Sequence, residues 1–138
     1  SALELAASNA QLNETEVNFF EFNLLDIIDT EELPVFDLMV SNPPYVTEKE
    51  KSLMLPNVLN YEPHLALFVP DVDPLLFYRQ IALFAQKRLK SGGYMMLEIN
   101  EMYGDDLKIL LESFRFSEIE VLKDFHGKNR FVSAIKSA

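Results

Sequence analysis

The sequence predicts an α/β fold whose sheet is parallel in its body and carries an antiparallel hairpin at one edge. Short apolar segments typical of buried strands alternate with amphipathic helical segments, an order that favours a parallel sheet covered by helices. The last two strand patterns alternate apolar and polar residues and are separated only by residues 126–129, which favours a hairpin turn. The predicted strands are residues 17–22, 37–41, 94–99, 119–125 and 130–135.

Helical spacing of apolar residues identifies three further segments. Residues 2–10 form a short helical pattern with no N-cap identified. A longer helix is predicted to begin at Asp73, with proline at its first helical position, and to end at residues 91–93. The third covers residues 103–114. Residues 46–72 show no clean periodicity, so this stretch is predicted to be a long loop, of the kind that often carries function.

The composition narrows the class of function. The chain has 138 residues and a formal net charge of −10, from 22 acidic and 12 basic residues. Its basic residues are scattered, whereas a duplex-binding surface needs clustered Lys and Arg, so no direct nucleic-acid partner is expected. The absence of cysteine excludes disulfides and fits a cytoplasmic protein. No apolar stretch is as long as a membrane span, and no signal pattern opens the sequence, so no membrane association is expected.

The tetrapeptide Asn42-Pro43-Pro44-Tyr45 directly follows the apolar strand pattern 37–41. That strand is predicted to be buried on both faces, and ligands of such sheets bind beyond the carboxyl ends of the strands. A residue before proline is pushed towards extended geometry, so the corner is stiff. The side-chain oxygen of Asn42 and the carbonyl of Pro43 can then converge on one external group with two N–H donors. A primary amide and an exocyclic amine are groups of this kind.

Such a nitrogen is a weak nucleophile because its lone pair is delocalised. Two acceptors on its hydrogens favour a more tetrahedral nitrogen, which directs the lone pair at an electrophilic methyl held on the same line. Tyr45 can stack on the flat group and tolerate the positive charge that develops, and the carbonyl dipoles act in the same sense. An ordinary strand-terminating turn is the alternative interpretation of the same tetrapeptide.

Several segments, beyond the tetrapeptide, resemble the release-factor glutamine methyltransferases, the HemK/PrmC family of class I S-adenosylmethionine-dependent methyltransferases. Asn-Pro-Pro-Tyr is shared with adenine-N6 methyltransferases, so by itself it specifies the chemistry better than the substrate. Residues 61–67 resemble the family's Tyr-Glu-Pro-x-x-Ala-Leu stretch. Other segments that match in order and spacing are residues 77–81, 92–93, 97–99, 123–125, 127 and 130–132.

The resemblance implies methyl transfer from S-adenosylmethionine to the glutamine of the Gly-Gly-Gln loop of a peptide-chain release factor, and hence a role in translation termination. It assigns the catalytic positions to the tetrapeptide: Asn42 and Pro43 as the amide acceptors, Pro44, and Tyr45 as the packing surface. Asn23 and Leu24 match the stretch that flanks the adenine of the cofactor, and Asn42 is expected to be cofactor-binding as well.

Three features of the family are not found in the sequence: the Gly-rich cofactor loop, the acidic residue that binds the ribose, and the N-terminal helical domain. Residues 1–138 are therefore expected to be the C-terminal part of a catalytic domain, a partial Rossmann-like sheet without its first strands, and inactive alone. The missing strands would lie between those at 17–22 and 37–41, so exposed edges are expected to favour self-association. Asn100 and Tyr103 replace a glycine and a glutamine usual in the family.

Two other functions stay open at this stage: an adenine-N6 methyltransferase acting on RNA or DNA, and a non-catalytic, truncated binding module. No metal site is expected, because carboxylates at helix starts, where they complement the helix dipole, account for the acidic residues of the C-terminal half. His64 and His126 are far apart in sequence and are expected to lie on the surface or in loops. The acidic residues concerned are Glu98, Glu101, Asp105 and Asp106.

Overall fold

The structure is a computed structural model that describes residues 1–26 and 33–138. The helices are α1 (Ala2–Leu12), α2 (Pro56–Tyr61), α3 (His64–Leu67), α4 (Leu76–Arg88) and α5 (Gly104–Ser113). The strands are β1 (Phe36–Ser41), β2 (Val46–Thr47), β3 (Phe68–Val69), β4 (Leu89–Glu98), β5 (Phe116–Lys123) and β6 (Asn129–Lys136). Short 3-10 helices cover Glu48–Leu53 and Glu101–Tyr103.

The main sheet has the strand order β1-β4-β6-β5. Strands β1 and β4 are parallel, with Ser41 opposite Leu97. Strand β6 pairs antiparallel with both β4 and β5, and β5 and β6 form the predicted hairpin. A second, parallel pair joins β2 to β3. The predicted α/β class is confirmed. The parallel pairing of β1 with β4 places the carboxyl ends of these two strands at the same edge of the sheet.

One face of the main sheet is packed against helices α4 and α5. Alternate residues of β4 enter this core, because successive side chains of a strand point to opposite faces. Leu97 is 1 % exposed there. The core also contains residues of both helices, of β5 and of β6, which include Tyr78, Ile81, Ala82, Ala85, Leu107, Leu111, Phe116, Val132 and Ala134.

The other face of the sheet is open at β1. Leu38 and Val40 point away from the core and are 55 % and 69 % exposed. Tyr94 of β4, which pairs with Leu38, is also exposed. The prediction that this strand is buried on both faces is therefore wrong. Its apolar composition suits a strand covered on both faces, but within the described residues only one face is covered.

The prediction of a strand at residues 17–22 is also wrong, because these residues form no regular secondary structure. Their β-branched and aromatic residues favour a strand, but a strand needs a hydrogen-bonded neighbour, and none in the described part of the chain pairs with them. The segment instead lies against α4: the ring of Phe22 is 5.3 Å from that of Phe84.

The helix predicted to begin at Asp73 begins at Leu76. Asp73 does not cap it, and its carboxylate pairs with Arg79 at 2.8 Å. The predicted stop at residues 91–93 is a bulge within β4, because β4 advances from Leu89 to Tyr94 while β1 advances only from Phe36 to Leu38. Gly92 lies in this bulge with φ of +75°, a conformation that glycine adopts without steric penalty.

The remaining elements agree more closely with expectation. The predicted helix 103–114 corresponds to α5, and α1 covers the predicted residues 2–10 with a cap that the sequence interpretation overlooked. Ser1 and Glu4 form a capping box at the start of α1. The stretch 46–72, predicted to be a loop, contains the short elements β2, α2, α3 and β3.

Candidate active site

The predicted catalytic corner lies immediately after β1, at the shared carboxyl edge of β1 and β4. Asn42 is exposed, Pro43 is buried, and Pro44 and Tyr45 are half-buried. Strand β2 begins at the next residue, so the corner is held between two paired strands. This is the position that the rule for ligands of parallel sheets predicts.

A small pocket of about 80 Å³ opens beside this corner. It is lined by Asn42, Pro43, Tyr45 and Val46 from the corner and the start of β2, and by Ala66 and Leu67 of α3. One water molecule accounts for roughly 30 Å³ in the liquid, so the pocket can hold a group of a few heavy atoms. The fold thus brings two distant motifs together, the tetrapeptide and the end of the stretch 61–67.

Tyr45 is oriented by a hydrogen bond from its phenol to Oε1 of Glu98, at 2.7 Å. Burial first, and then the hydrogen bond and charge of Glu98, raise the pKa of Tyr45 to about 12, while Arg130 acts in the opposite sense. The phenol is therefore protonated at any ordinary pH. Because its hydroxyl is engaged with Glu98, the group that Tyr45 offers to a ligand is its ring.

Glu98 is held from a second side by Tyr78 of α4, whose hydroxyl donates to the Glu98 backbone carbonyl at 3.0 Å. Burial raises the pKa of Tyr78 well above its ordinary value. The interpretation of Glu98 as a helix-start carboxylate is therefore wrong, because it ends β4 and accepts a hydrogen bond from the candidate site. Asp105 and Asp106 do lie in the first turn of α5, as predicted.

Asn100 and Glu50 form a second polar cluster beneath the corner. The Asn100 amide donates to the Tyr45 carbonyl at 3.2 Å and to the Glu50 carboxylate at 2.9 Å. Burial alone would raise the pKa of Glu50, but hydrogen bonds from Thr47 and Asn100 outweigh it and leave that pKa below its ordinary value. Glu50 is therefore ionised at neutral pH. Within residues 1–26 and 33–138, no group of acidic or histidine side chains has the arrangement of a metal site.

The residues predicted to bind the cofactor are only partly brought together. Leu24 packs against the core and lines a pocket of about 490 Å³ that extends to Ser41. Asn23 is exposed, and its side-chain oxygen accepts the Leu25 N–H at 3.1 Å. Asn42 lies next to this pocket in sequence but lines the smaller one.

The lining of the larger pocket suits an apolar or aromatic group rather than a charged one. Its volume lies in the range of ligand sites, and its rings suit the stacking of a flat group. Among the described residues that line it, Ser41 alone has a polar side chain, which leaves the charged amino-acid half of S-adenosylmethionine without a partner. The lining residues are Phe20, Phe22, Leu24, Phe36, Leu38, Met39, Val40, Ser41, Ile81 and Phe84.

Comparison with curated proteins identifies the relatives of this sequence. A protein from Flavobacterium psychrophilum named release factor glutamine methyltransferase is 45 % identical over 131 residues, which cover 95 % of this chain and 45 % of the relative. One of the same name from Bacteroides thetaiotaomicron is 43 % identical over 133 residues, covering 96 % and 48 %. The chain is homologous to the release factor glutamine methyltransferases. The predicted family resemblance is thereby confirmed.

The chain spans about half the length of these release factor glutamine methyltransferases. No protein-family model matches it. Among solved structures, a possible exported protein from Bordetella parapertussis aligns with a TM-score of 0.51 and 18 % identity, over 99 % of this chain and 49 % of that one. That likeness concerns the fold alone. No helix in the described part of the chain is long and apolar enough to cross a membrane.

Sequence reasoning missed four residues that surround the corner, although three of them gave a signal. Tyr78 and Glu98 belong to segments 77–81 and 97–99, which are shared with the release factor glutamine methyltransferases, and Asn100 is a departure from them. Glu50 gave none, because its contacts with the corner depend on pairing between elements that are distant in sequence. The missed residues are Glu50, Tyr78, Glu98 and Asn100.

Proposed function

We propose that this chain is the substrate-holding part of a protein-glutamine N5-methyltransferase that uses S-adenosylmethionine. Its substrate would be the glutamine of the Gly-Gly-Gln loop of a peptide-chain release factor, which would place the protein in the cytoplasm. The observation that carries the proposal is the pocket between the tetrapeptide 42–45 and α3. The names of the relatives support the choice of substrate.

In this proposal the chain holds the glutamine amide by its two N–H groups. The Asn42 side-chain oxygen and the Pro43 carbonyl accept them, and the two prolines keep the acceptors fixed because neither has backbone freedom to rotate away. Positioning of this kind is worth about 7 kcal/mol or more of the barrier. The pocket of about 80 Å³ is of the size that a side-chain amide needs.

Tyr45 contributes a ring held in place by Glu98. Its face lies against the flat amide and tolerates the positive charge that the nitrogen gains on attack. S-adenosylmethionine would supply an electrophilic methyl group, whose bond to sulfur breaks as the bond to nitrogen forms. The nitrogen loses its extra proton to solvent afterwards, so the chain needs no general base before attack.

We further propose that residues 1–138 correspond to the C-terminal part of the catalytic domain and are inactive alone. The apolar pocket would contact the adenine through Leu24, with Asn23 at its margin and Asn42 between cofactor and substrate. Its polar partners for the rest of the cofactor would come from outside this chain. The half-length coverage of the relatives and the apolar lining of the pocket both support this assignment.

The test is a methylation assay in which this chain replaces the matching segment of the Flavobacterium psychrophilum relative. Radiolabelled S-adenosylmethionine is supplied with a release factor, and mass spectrometry locates the methyl group. We expect methylation of the Gly-Gly-Gln glutamine. The Asn42→Ala variant should lower turnover about 100-fold, since misplacement of a reacting group has effects of this size. Its cofactor affinity should change by less than about twofold, because its main loss is an amide acceptor.

Asn9→Ala on the exposed surface of α1 is the matched control and should not change turnover. Equal losses of turnover and cofactor affinity in Asn42→Ala would contradict the amide-holding role. Label appearing in an adenine oligonucleotide in place of the release factor would overturn the substrate. Calorimetry of the 138-residue chain with S-adenosylhomocysteine should show no binding, and micromolar binding would contradict the division of the cofactor site.

A further inference from the structure

Asn100 occupies a position from which it contacts three separate parts of the site. It lies two residues beyond Glu98, the last residue of β4, and is 6 % exposed. Its Nδ2 donates to the Tyr45 carbonyl at 3.2 Å and to both carboxylate oxygens of Glu50, at 3.0 and 2.9 Å. Its Oδ1 accepts the backbone N–H of Met102 at 3.0 Å. One side chain thus joins the end of β4, the end of the tetrapeptide and the turn that follows it.

The chemistry of these partners allows only one orientation of the Asn100 amide. A carboxylate and a carbonyl are acceptors, so the NH₂ group must face Glu50 and Tyr45. The oxygen must then face the N–H of Met102. Both ends of the amide are therefore hydrogen-bonded. In the reverse orientation its oxygen would face the Glu50 carboxylate and the Tyr45 carbonyl, and all three groups are acceptors. Loss of the donor would leave the Tyr45 carbonyl and Oε1 of Glu50 without this partner, and only Oε2 of Glu50 would keep its bonds from Thr47.

Of the two groups that accept from the Asn100 amide, the Glu50 carboxylate forms the stronger bonds. Its Oε2 also accepts from the backbone N–H and the hydroxyl of Thr47, at 2.8 and 2.7 Å. Thr47 is buried, and the carboxylate is ionised, so these are charge-assisted bonds and stronger than neutral ones. Together they bind the 3-10 helix Glu48–Leu53 and the strand β2 to the end of β4.

Tyr45 is consequently fastened to the end of β4 at two points. Its phenol donates to Glu98, and its carbonyl accepts from Asn100. Two contacts at opposite ends of a residue fix its orientation as well as its position, which one contact cannot do. The same two contacts limit how far Asn42 and Pro43 can move, because two rigid proline junctions connect them to Tyr45.

We propose that Asn100 is a positioning residue for methyl transfer, acting through the Tyr45 carbonyl and the Glu50 carboxylate. The proposal rests on the proposed function for its catalytic consequence but not for its structural one. Asn100 has no part in holding the substrate amide. It sets the distance between the amide acceptors of residues 42–43 and the sheet that supports them.

A purely local role is the competing explanation, since Asn100 also caps the 3-10 helix Glu101–Tyr103. Asn100→Asp separates the two roles. An aspartate oxygen still accepts the Met102 N–H, so the cap is kept. The donors to Tyr45 and Glu50 are lost, and two carboxylates then face each other. Asn9→Asp on α1 is the matched control for the same chemical change at an exposed position.

The first measurement is amide hydrogen exchange by NMR in the 138-residue chain. With Asn100→Asp we expect exchange at the Thr47 amide to rise at least about tenfold, and exchange in the β5–β6 hairpin to stay within about twofold. In the Flavobacterium chimera, kcat should fall about 100-fold, with the KM for S-adenosylmethionine within twofold. Asn9→Asp should change neither the exchange rates nor the kinetic constants.

Rescue is the sharper part of the test. Combining Asn100→Asp with Glu50→Gln restores a donor–acceptor pair of reversed polarity, because the new amide can donate to the new carboxylate. It should recover protection at Thr47 and about tenfold in kcat, but not all of the loss, since the Tyr45 carbonyl stays without its donor. A double variant no better than Asn100→Asp alone would overturn the proposal.

The outcomes separate this proposal from the proposed function. A wild-type chimera that binds cofactor but does not methylate the release factor contradicts the function, while the exchange data still decide the role of Asn100. Unchanged exchange at Thr47 in Asn100→Asp overturns the positioning role. Exchange that rises equally in Thr47 and in the hairpin also overturns it, because the substitution would then act on the whole fold.

Discussion

The two edge strands of the main sheet, β1 and β5, have similar apolar content and very different surroundings. Strand β5 packs beside α5, with Phe116 buried and Ile119 and Val121 against the core. Strand β1 leaves Leu38 and Val40 exposed on its uncovered face. The difference shows that apolar composition indicates whether a strand can be buried. Whether it is buried depends on the elements that cover it.

The comparison can be tested first by creating a cavity in the covered part of the sheet. Leu97→Ala should lower the free energy of unfolding by about 2–5 kcal/mol, because Leu97 is fully buried and its removal leaves a cavity. Leu38→Ala on the open face is the matched control and should cost less than about 1 kcal/mol. Urea denaturation followed by circular dichroism measures both, and similar losses would mean that the open face is covered in solution.

A smaller effect is expected from Tyr45→Phe, which removes the hydrogen bond to Glu98. A bond to a charged group contributes about 1.5–3 kcal/mol, and partial exposure of Tyr45 places the expected loss at the lower end. The pKa of Tyr45 is raised from 10.0 to about 12 in the folded chain. The contribution of the protonated Tyr45 phenol to the free energy of unfolding is therefore complete below pH 10 and is lost as the pH rises through about 12.

Denaturation at a series of pH values checks this sign. The stability difference between the wild type and Tyr45→Phe should be constant from neutral pH to about pH 9 and should shrink between pH 10 and 12. A difference that grows with pH would mean that folding favours the ionised phenol. Tyr61→Phe is a suitable control, since Tyr61 is 85 % exposed.

The smallest effect on stability is expected from Val40→Thr on the open face of β1. The valine is 69 % exposed, so the free energy of unfolding should change by no more than about 0.5 kcal/mol. Self-association through β1 should nevertheless weaken, because the substitution adds a hydroxyl to the apolar surface of this strand. Sedimentation velocity of the two proteins decides this, and an unchanged distribution of species would count against pairing at β1.

The sequence predicted well the features that depend on local pattern. The β5–β6 hairpin, helix α5 and the strand before Asn42 follow from periodicity and turn residues within short windows. The segment 17–22 was mispredicted because strand formation depends on a partner elsewhere in the chain. The tetrapeptide was identified as the candidate site from its own residue types, and its catalytic role stays a prediction.

What lies around the site could not be predicted in the same way. The contacts of Glu98 with Tyr45 and of Asn100 with Glu50 join residues about fifty positions apart, and they arise from the parallel pairing of β1 with β4. Glu98 lies in a segment shared with the relatives and Asn100 departs from them, but neither signal shows which residues these side chains contact. Their contacts become visible only when the register of β1 and β4 is known.

The fastening of Tyr45 at both its phenol and its carbonyl bears on how a substrate loop would bind. A flexible corner would lose conformational entropy at the moment of binding, and that loss would weaken affinity. Here the corner is already ordered in the folded chain, so its conformational entropy is lost during folding and not during binding. The ordering cost of the encounter then falls mainly on the incoming loop, and a stiffer loop should bind more tightly for this reason alone.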